Sequence, residues 1–241
     1  MSSSALDRAR DLWAGLTRAA PVTFPPRGRA RVVVSPESSL CPPGWTGIVM
    51  LDGGVLATVP APELAEQVRD VLRAHVTRAA AIDLARIAAD LPASDLLGPA
   101  TLAYLDAADF TPALLHTGVE RLPPHHPAMR SMITGMDEGD AAESGLAEIT
   151  SAAFVVREGT EVIAAAGYRQ WLDVAAHLSV WTAPHRRGRG LARAAASAAI
   201  EDALARRLLP QWRARPEPSR RVARALGFHE LGTQISLRLA R

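Results

Sequence analysis

A chain of 241 residues, 48% hydrophobic and 22% charged, is long enough for one large domain or two small ones and has a globular composition. Its single cysteine, Cys41, excludes an internal disulfide and a cysteine-built metal site and points to a reducing compartment. The start carries no targeting signature, and no apolar run approaches the ~20 residues that cross a bilayer, so the expectation is a cytoplasmic protein with no membrane partner.

Residues 5–18 read as a helix with Leu6, Trp13 and Leu16 on one face, and residues 29–35 as a strand through Ala30, Val32, Val33 and Val34. Two apolar runs, residues 46–51 and 55–59, flank Asp52-Gly53-Gly54 and predict a hairpin. Pro62 opens a helix over residues 63–75, with Glu63 and Glu66 in its early turns. Within residues 79–104, Ile82, Leu84, Ile87 and Leu91 suggest a helix that Pro92 breaks, and residues 96–105 read as another. His125 and His126 are adjacent, so they cannot share a helix face as a metal pair would, and no metal is expected. Residues 134–140 read as a polar loop and residues 141–149 as a short helix carrying Glu143 and Glu148. Strands follow over residues 152–157, 161–171 and 175–182.

Pro184 ends the third of these strands, because its ring removes a ladder donor. Next comes Arg187-Gly188-Arg189-Gly190-Leu191-Ala192, and then an Ala-rich helix over residues 191–208. Free backbone N–H groups at a helix start, beside Arg187 and Arg189, make an anion site suited to a phosphate or pyrophosphate. All 27 basic residues are arginine, and they crowd the chain beyond Thr182, which adds a positive field although the net charge is only +2. A P-loop needs a lysine that this chain lacks, and the dinucleotide fingerprint needs glycine where Arg193 stands. A third pattern, R/Q-x-x-G-x-G/A, is matched at every fixed position by residues 187–192.

Downstream, residues 208–214 read as a strand and residues 219–226 as a helix. Leu226-Gly227-Phe228 places Gly227 just past that helix, and residues 235–239 form a last strand. Over residues 123–241 this order and these two motifs resemble the GNAT N-acetyltransferases. The resemblance implies an α/β (α+β) GNAT acyl-CoA N-acyltransferase fold, a mixed central sheet flanked by helices. It occupies residues 121–241, after an additional N-terminal α/β region, residues 1–120, that reads as a degenerate second half. The implied activity is transfer of an acetyl group from acetyl-CoA to a primary amine on a small-molecule or peptide acceptor, without a metal. A homodimer is compatible with it, and nucleic acid is not the expected partner. By position, the backbone of Val180, Trp181 and Thr182 would pair with the pantetheine arm. The N–H groups of Gly188, Arg189, Gly190, Leu191 and Ala192, with the charges of Arg187 and Arg189, would hold the pyrophosphate.

Pro216 and Ala223 stand where many members of the family have an Asn that holds the cofactor and a Tyr that protonates the leaving thiolate. Ser219 or a water would replace that acid. His177, in the cofactor strand, and Glu143, before the sheet, are the candidate bases, set against a hydrogen-bonded strand histidine and a solvated carboxylate. Tyr168, Arg169 and Trp171 would line the acceptor side, with core packing the equal alternative for the two aromatics. The two departures also raise a different reading, a CoA-binding sensor or interaction module without turnover.

Overall fold

A computed structural model describes residues 4–76, 82–113 and 118–240. The chain divides into two compact units. The first comprises Met1–Tyr104, Ala214–Glu217 and Glu230–Arg241, and the second Leu105–Arg213 with Pro218–His229.

In the first unit, Ser4 caps helix α1 (Ala5–Leu16) by accepting the Asp7 N–H, and the helix buries Leu12, Trp13 and Leu16. Strand β1 (Ala30–Val34) is followed by the hairpin β2 (Thr46–Leu51) and β3 (Gly54–Val59). Its two turn residues, Asp52 and Gly53, have φ of 44° and 74°, the paired positive values of a tight hairpin turn that Asp-Gly favours. A 3-10 turn over Pro62–Leu64 leads into α2 (Ala65–His75), and Asp83 caps α3 (Leu84–Ala89). The N-terminal part of that expected helical stretch, at residues 79–81, lies outside the described residues, as do residues 1–3.

Residues 96–105 correct the sequence expectation. They belong to strand β4 (Ala93–Tyr104) and not to a helix. Pro99 lacks the N–H that a helix interior needs, and its ring would collide with the preceding turn. The apolar run around it, ending in the fully buried Leu102 and Tyr104, fills a strand instead. The Trp13 indole donates to the Tyr104 hydroxyl at 2.5 Å, tying α1 to this strand.

The second unit opens with β5 (Val119–Leu122), a short charged strand that the sequence reading omitted. His126 caps α4 (Pro127–Thr134), its Nδ1 accepting the Ala128 N–H at 3.1 Å. Helix α5 (Glu138–Ser144) begins earlier and ends earlier than expected, so residues 134–140 are not one loop. Asp137 caps it, accepting the Asp140 N–H at 2.7 Å. The strands β6 (Ala153–Glu158), β7 (Glu161–Trp171) and β8 (Ala175–Thr182) follow, then α6 (Leu191–Ala205), β9 (Leu209–Ala214) and α7 (Glu217–Ala225). Strand β10 (His229–Leu239) returns the chain to the first unit.

The sheets are mixed. In the first unit the order is β1-β3-β2-β10-β4, with β1 parallel to β3 and β10 antiparallel to β2. In the second it is β9-β8-β7-β6-β5, antiparallel except that β8 and β9 run parallel. Helix α6 packs on β6, β7 and β8, while α4 and α5 lie against β7 and β8. Strand alternation separates these coverings: Tyr168 reaches α6 through Asp202, whereas its neighbour Arg169 reaches Glu148 beside α5. No helix among the described residues is long and apolar enough to cross a membrane.

Candidate active site

The loop predicted to bind an anion has the required backbone. A 3-10 turn over Pro184–Arg186 leads into Arg187, and Gly188 then takes φ 80°. Gly190 is the N-cap of α6 at φ 78°, ψ 1°, a left-handed conformation that a side chain resists. No side chain caps this helix. Its first intrahelical bond is donated by Ala194, so among the described residues the N–H groups of Leu191, Ala192 and Arg193 are left without a partner. Arg189 is exposed and makes no ion pair among the described residues. The buried Nε of Arg193 and the buried hydroxyl of Thr182 also lack partners. Unpartnered N–H groups at a helix start, behind an open glycine turn, fit a polyphosphate ligand.

Arg187 is already engaged. Its NH2 meets both carboxylate oxygens of Asp140, at 2.9 and 2.7 Å, and its Nε donates to the Thr182 carbonyl at 3.3 Å. Asp140 also accepts the Trp181 indole N–H at 2.9 Å. The sequence reading missed Asp140. Its signal was Asp137 followed three residues later by an acidic residue, the spacing of a capped helix start.

Strand β8 parts from β9 where the resemblance requires it. The two are in register only at Ala175–Leu209, Ala176–Pro210 and His177–Gln211. Beyond His177 the β9-facing backbone groups of Val180 and Thr182 have no ladder partner among the described residues, whereas the expectation for Trp181 is corrected, because alternation turns its backbone toward Ala165 of β7.

His177 stands at this fork. Its Nδ1 meets the Gln211 side-chain oxygen, and its ring stacks on Trp171 at 4.3 Å and 15°. A carbonyl oxygen only accepts, so Nδ1 carries the proton and Nε2 keeps its lone pair. Burial, reinforced by the Arg213 charge, pushes the imidazole down from 6.5 to about 3. Gln211 is fully buried and its Nε2 has no partner. It too was missed, although a glutamine between Pro210 and Trp212 in an apolar strand is the kind of polar intrusion that marks a site. Glu143, the other candidate base, is exposed on α5.

The aromatic candidates divide. Arg169 and Trp171 share the His177 face, Arg169 lying opposite His177 in the β7–β8 ladder. Tyr168 is corrected: it faces α6, where its hydroxyl donates to Asp202 at 2.6 Å, and burial with that carboxylate raises its pKa strongly. Ser219 accepts the Trp212 indole N–H at 3.0 Å and retains its own proton to donate. Ala223, at the position of the family's acid, is a buried methyl.

After α7 the chain closes as the Leu-Gly-Phe motif predicts. Gly227, at φ 95°, donates to the Arg224 carbonyl at 3.0 Å, and Phe228 donates to the Ala223 carbonyl at 3.1 Å. These are the two bonds of a Schellman cap.

Residues 148–234 match the family model described as GNAT acetyltransferase. The C-terminal half carries a GNAT region. Solved structures with a similar course include a GNAT-family protein from Novosphingobium aromaticivorans DSM 12444, at 22% identity and TM-score 0.46, covering 60% of this chain and 65% of that one. A GCN5-related N-acetyltransferase from Kribbella flavida is 19% identical at TM-score 0.48, covering 64% of this chain and 62% of that one. In both cases the chain spans less than two thirds of the other's length. A tandem GNAT protein from the clavulanic acid biosynthesis pathway is similar over 96% of this chain and 94% of its own, at 14% identity and TM-score 0.45. No curated protein matches the chain. The GNAT region takes in the fork, the glycine turn and the Schellman cap.

His177 makes folding pH-dependent. Its pKa is depressed in the folded state, so an unfolded chain binds a proton between pH 6.5 and about 3 that the folded chain does not. The stabilisation is complete above pH 6.5 and is lost as pH falls toward about 3. In urea titrations His177→Gln is expected to flatten the acid slope of unfolding free energy, and an unchanged slope would contradict the assignment.

Proposed function

We propose that this protein is an acyl-CoA-dependent N-acetyltransferase that acetylates a primary amine by direct attack. The observation that carries the reading is the uncapped start of α6 beneath a left-handed Gly190, beside the β8–β9 fork. Acetyl-CoA, when bound, supplies the activated acyl carbon. On this reading, the N–H groups of residues 188–192 and the Arg189 guanidinium hold its pyrophosphate. The open edge at Val180 and Thr182 takes the pantetheine arm as an added strand would be taken. A backbone N–H near Trp181 polarises the acyl oxygen.

His177 is neutral throughout the physiological range, because its pKa lies near 3. Its role is therefore to accept an N–H of the neutral amine at Nε2 and aim the amine lone pair, with Gln211 fixing the ring. The acceptor sheds its ammonium proton before attack, and kcat/KM should rise with the acceptor's own titration, without an inflection near pH 6.5. Ser219, anchored by Trp212, is the donor available to the departing thiolate. A thiol with an ordinary pKa near ~8.5 needs only partial assistance. Glu143, exposed on α5, would serve a charged acceptor by attraction. Residues 121–241 form the catalytic domain on this reading, and residues 1–120 a degenerate copy supported by its strand–helix alternation.

The buried methyl of Ala223 favours one second reading, a CoA-binding module without turnover. Calorimetric titration with acetyl-CoA, followed by thiol release across an amine panel, separates them. Absence of binding at saturating ligand would remove both readings, and binding with no release from any amine would leave only the module.

A further inference from the structure

We propose that Asp140 and the Trp181 indole form a binding site for a second cationic group on the acceptor, masked by Arg187 until a phosphate draws that arginine away. The inference rests on the acetyltransferase reading.

Asp140 holds a guanidinium in two hydrogen bonds, so this carboxylate already binds a cation in the structure. The indole N–H of Trp181 fixes its orientation from the side. Its side chain is 24% exposed, partly withdrawn from water, which strengthens its attraction for a charge. Trp181 also packs on the apolar cluster beneath α4, which gives the site a rigid wall.

Arg187 covers two groups at once. Its NH2 occupies Asp140, and its Nε occupies the Thr182 carbonyl, one of the β8 acceptors open at the fork. Its side chain is 55% exposed and sits three residues before the turn glycine Gly190. A pyrophosphate at the α6 start offers this guanidinium two negative charges in place of one. The exchange bares the Thr182 carbonyl to an amide N–H of the incoming arm and bares Asp140 to the acceptor. The favoured acceptor is therefore an amine with a further positive charge, such as a diamine, and not a monoamine. Asp140 both opposes the phosphate ligand and attracts the acceptor, so its loss acts in opposite directions on the two. A purely structural role would weaken both.

Calorimetry with CoA and 1,4-diaminobutane tests this. Asp140→Asn is expected to bind CoA about threefold to fivefold more tightly, the scale of a partly exposed ion pair. The CoA-loaded Asp140→Asn protein should bind the diamine at least about tenfold more weakly than the loaded wild type. Arg187→Gln should bind the diamine without CoA as well as the loaded wild type does. The proposal is overturned if the loaded wild type binds no diamine, if Asp140→Asn weakens CoA binding, or if neither variant changes diamine affinity. If the wild type binds no CoA, the acetyltransferase reading falls and this proposal with it. If it binds CoA and the variants behave as the wild type, only this proposal falls.

Discussion

Replacing Gly190 with valine is expected to raise the Kd for CoA more than about 100-fold while leaving the fold intact. Gly190 caps α6 at φ 78°, where a β-branched residue costs roughly 1–3 kcal/mol. Nothing lies within 4 Å of the space its side chain would enter, so the loop backbone absorbs the strain and the core does not. The chain relieves that strain by turning the entry to α6, and the N–H groups of Leu191, Ala192 and Arg193 then lose their common focus. Charge-assisted hydrogen bonds contribute ~1.5–3 kcal/mol each, so two of them account for the expected factor. Alanine at the same place, with a smaller φ penalty, should give a milder loss. Calorimetric titration reads the Kd, and a melting temperature within a few degrees of wild type confirms folding. Wild-type affinity in the valine variant would show that the ligand is not held by this turn.

Gly227→Val should lower stability by about 3 kcal/mol or more. Two causes combine. Gly227 has φ 95°, and a Cβ there would be driven into the backbone carbonyl of Asp109, which cannot swing away as a flexible side chain would. The same residue holds the Schellman bonds to Arg224 and, through Phe228, to Ala223. Phe228 is itself buried edge-on against Trp212 at 5.6 Å, so displacement of the cap disturbs the core beneath it. Gly188→Val is the control: its φ of 80° is also positive, but its surroundings are open. Urea denaturation of the pair separates the backbone penalty from the collision. Similar losses in both would mean that the Asp109 contact matters little.

The sequence disclosed the features whose causes are local. Asp52-Gly53 makes its own turn, Gly190 and Gly227 are demanded by their φ, and the Ala-rich run from Leu191 has a strong local preference for helix. What it concealed depends on distant partners. Residues 96–105 carry apolar side chains that suit helix or strand, and Gly98-Pro99 was the local sign against the helix. Strand β5, with Glu120 and Arg121 at its centre, lacks the apolar alternation of a strand and exists by pairing with β6. Asp140 and Gln211 look like ordinary polar residues until folding brings them to Arg187 and His177. The glycine turn was thus legible from residues 187–192, whereas the groups proposed to handle the acceptor were not, because they are assembled from α5, β8 and β9.

Strand β10 lies inside the first unit's sheet, between β2 and β4, and its Ile235, Leu237 and Leu239 join the same core as Ile48, Val55 and Val68. A ribosome therefore releases α1 through β4 long before the strand that completes their sheet. Until residues 229–239 emerge, β2 has no antiparallel partner on that side and the core around Ile48 stays open to water. The second unit waits as well, because its α7 and Schellman cap, within Pro218–His229, are made just before β10. Both units are therefore closed by the last stretch of chain to be made, and neither unit is complete while residues 214–239 are missing.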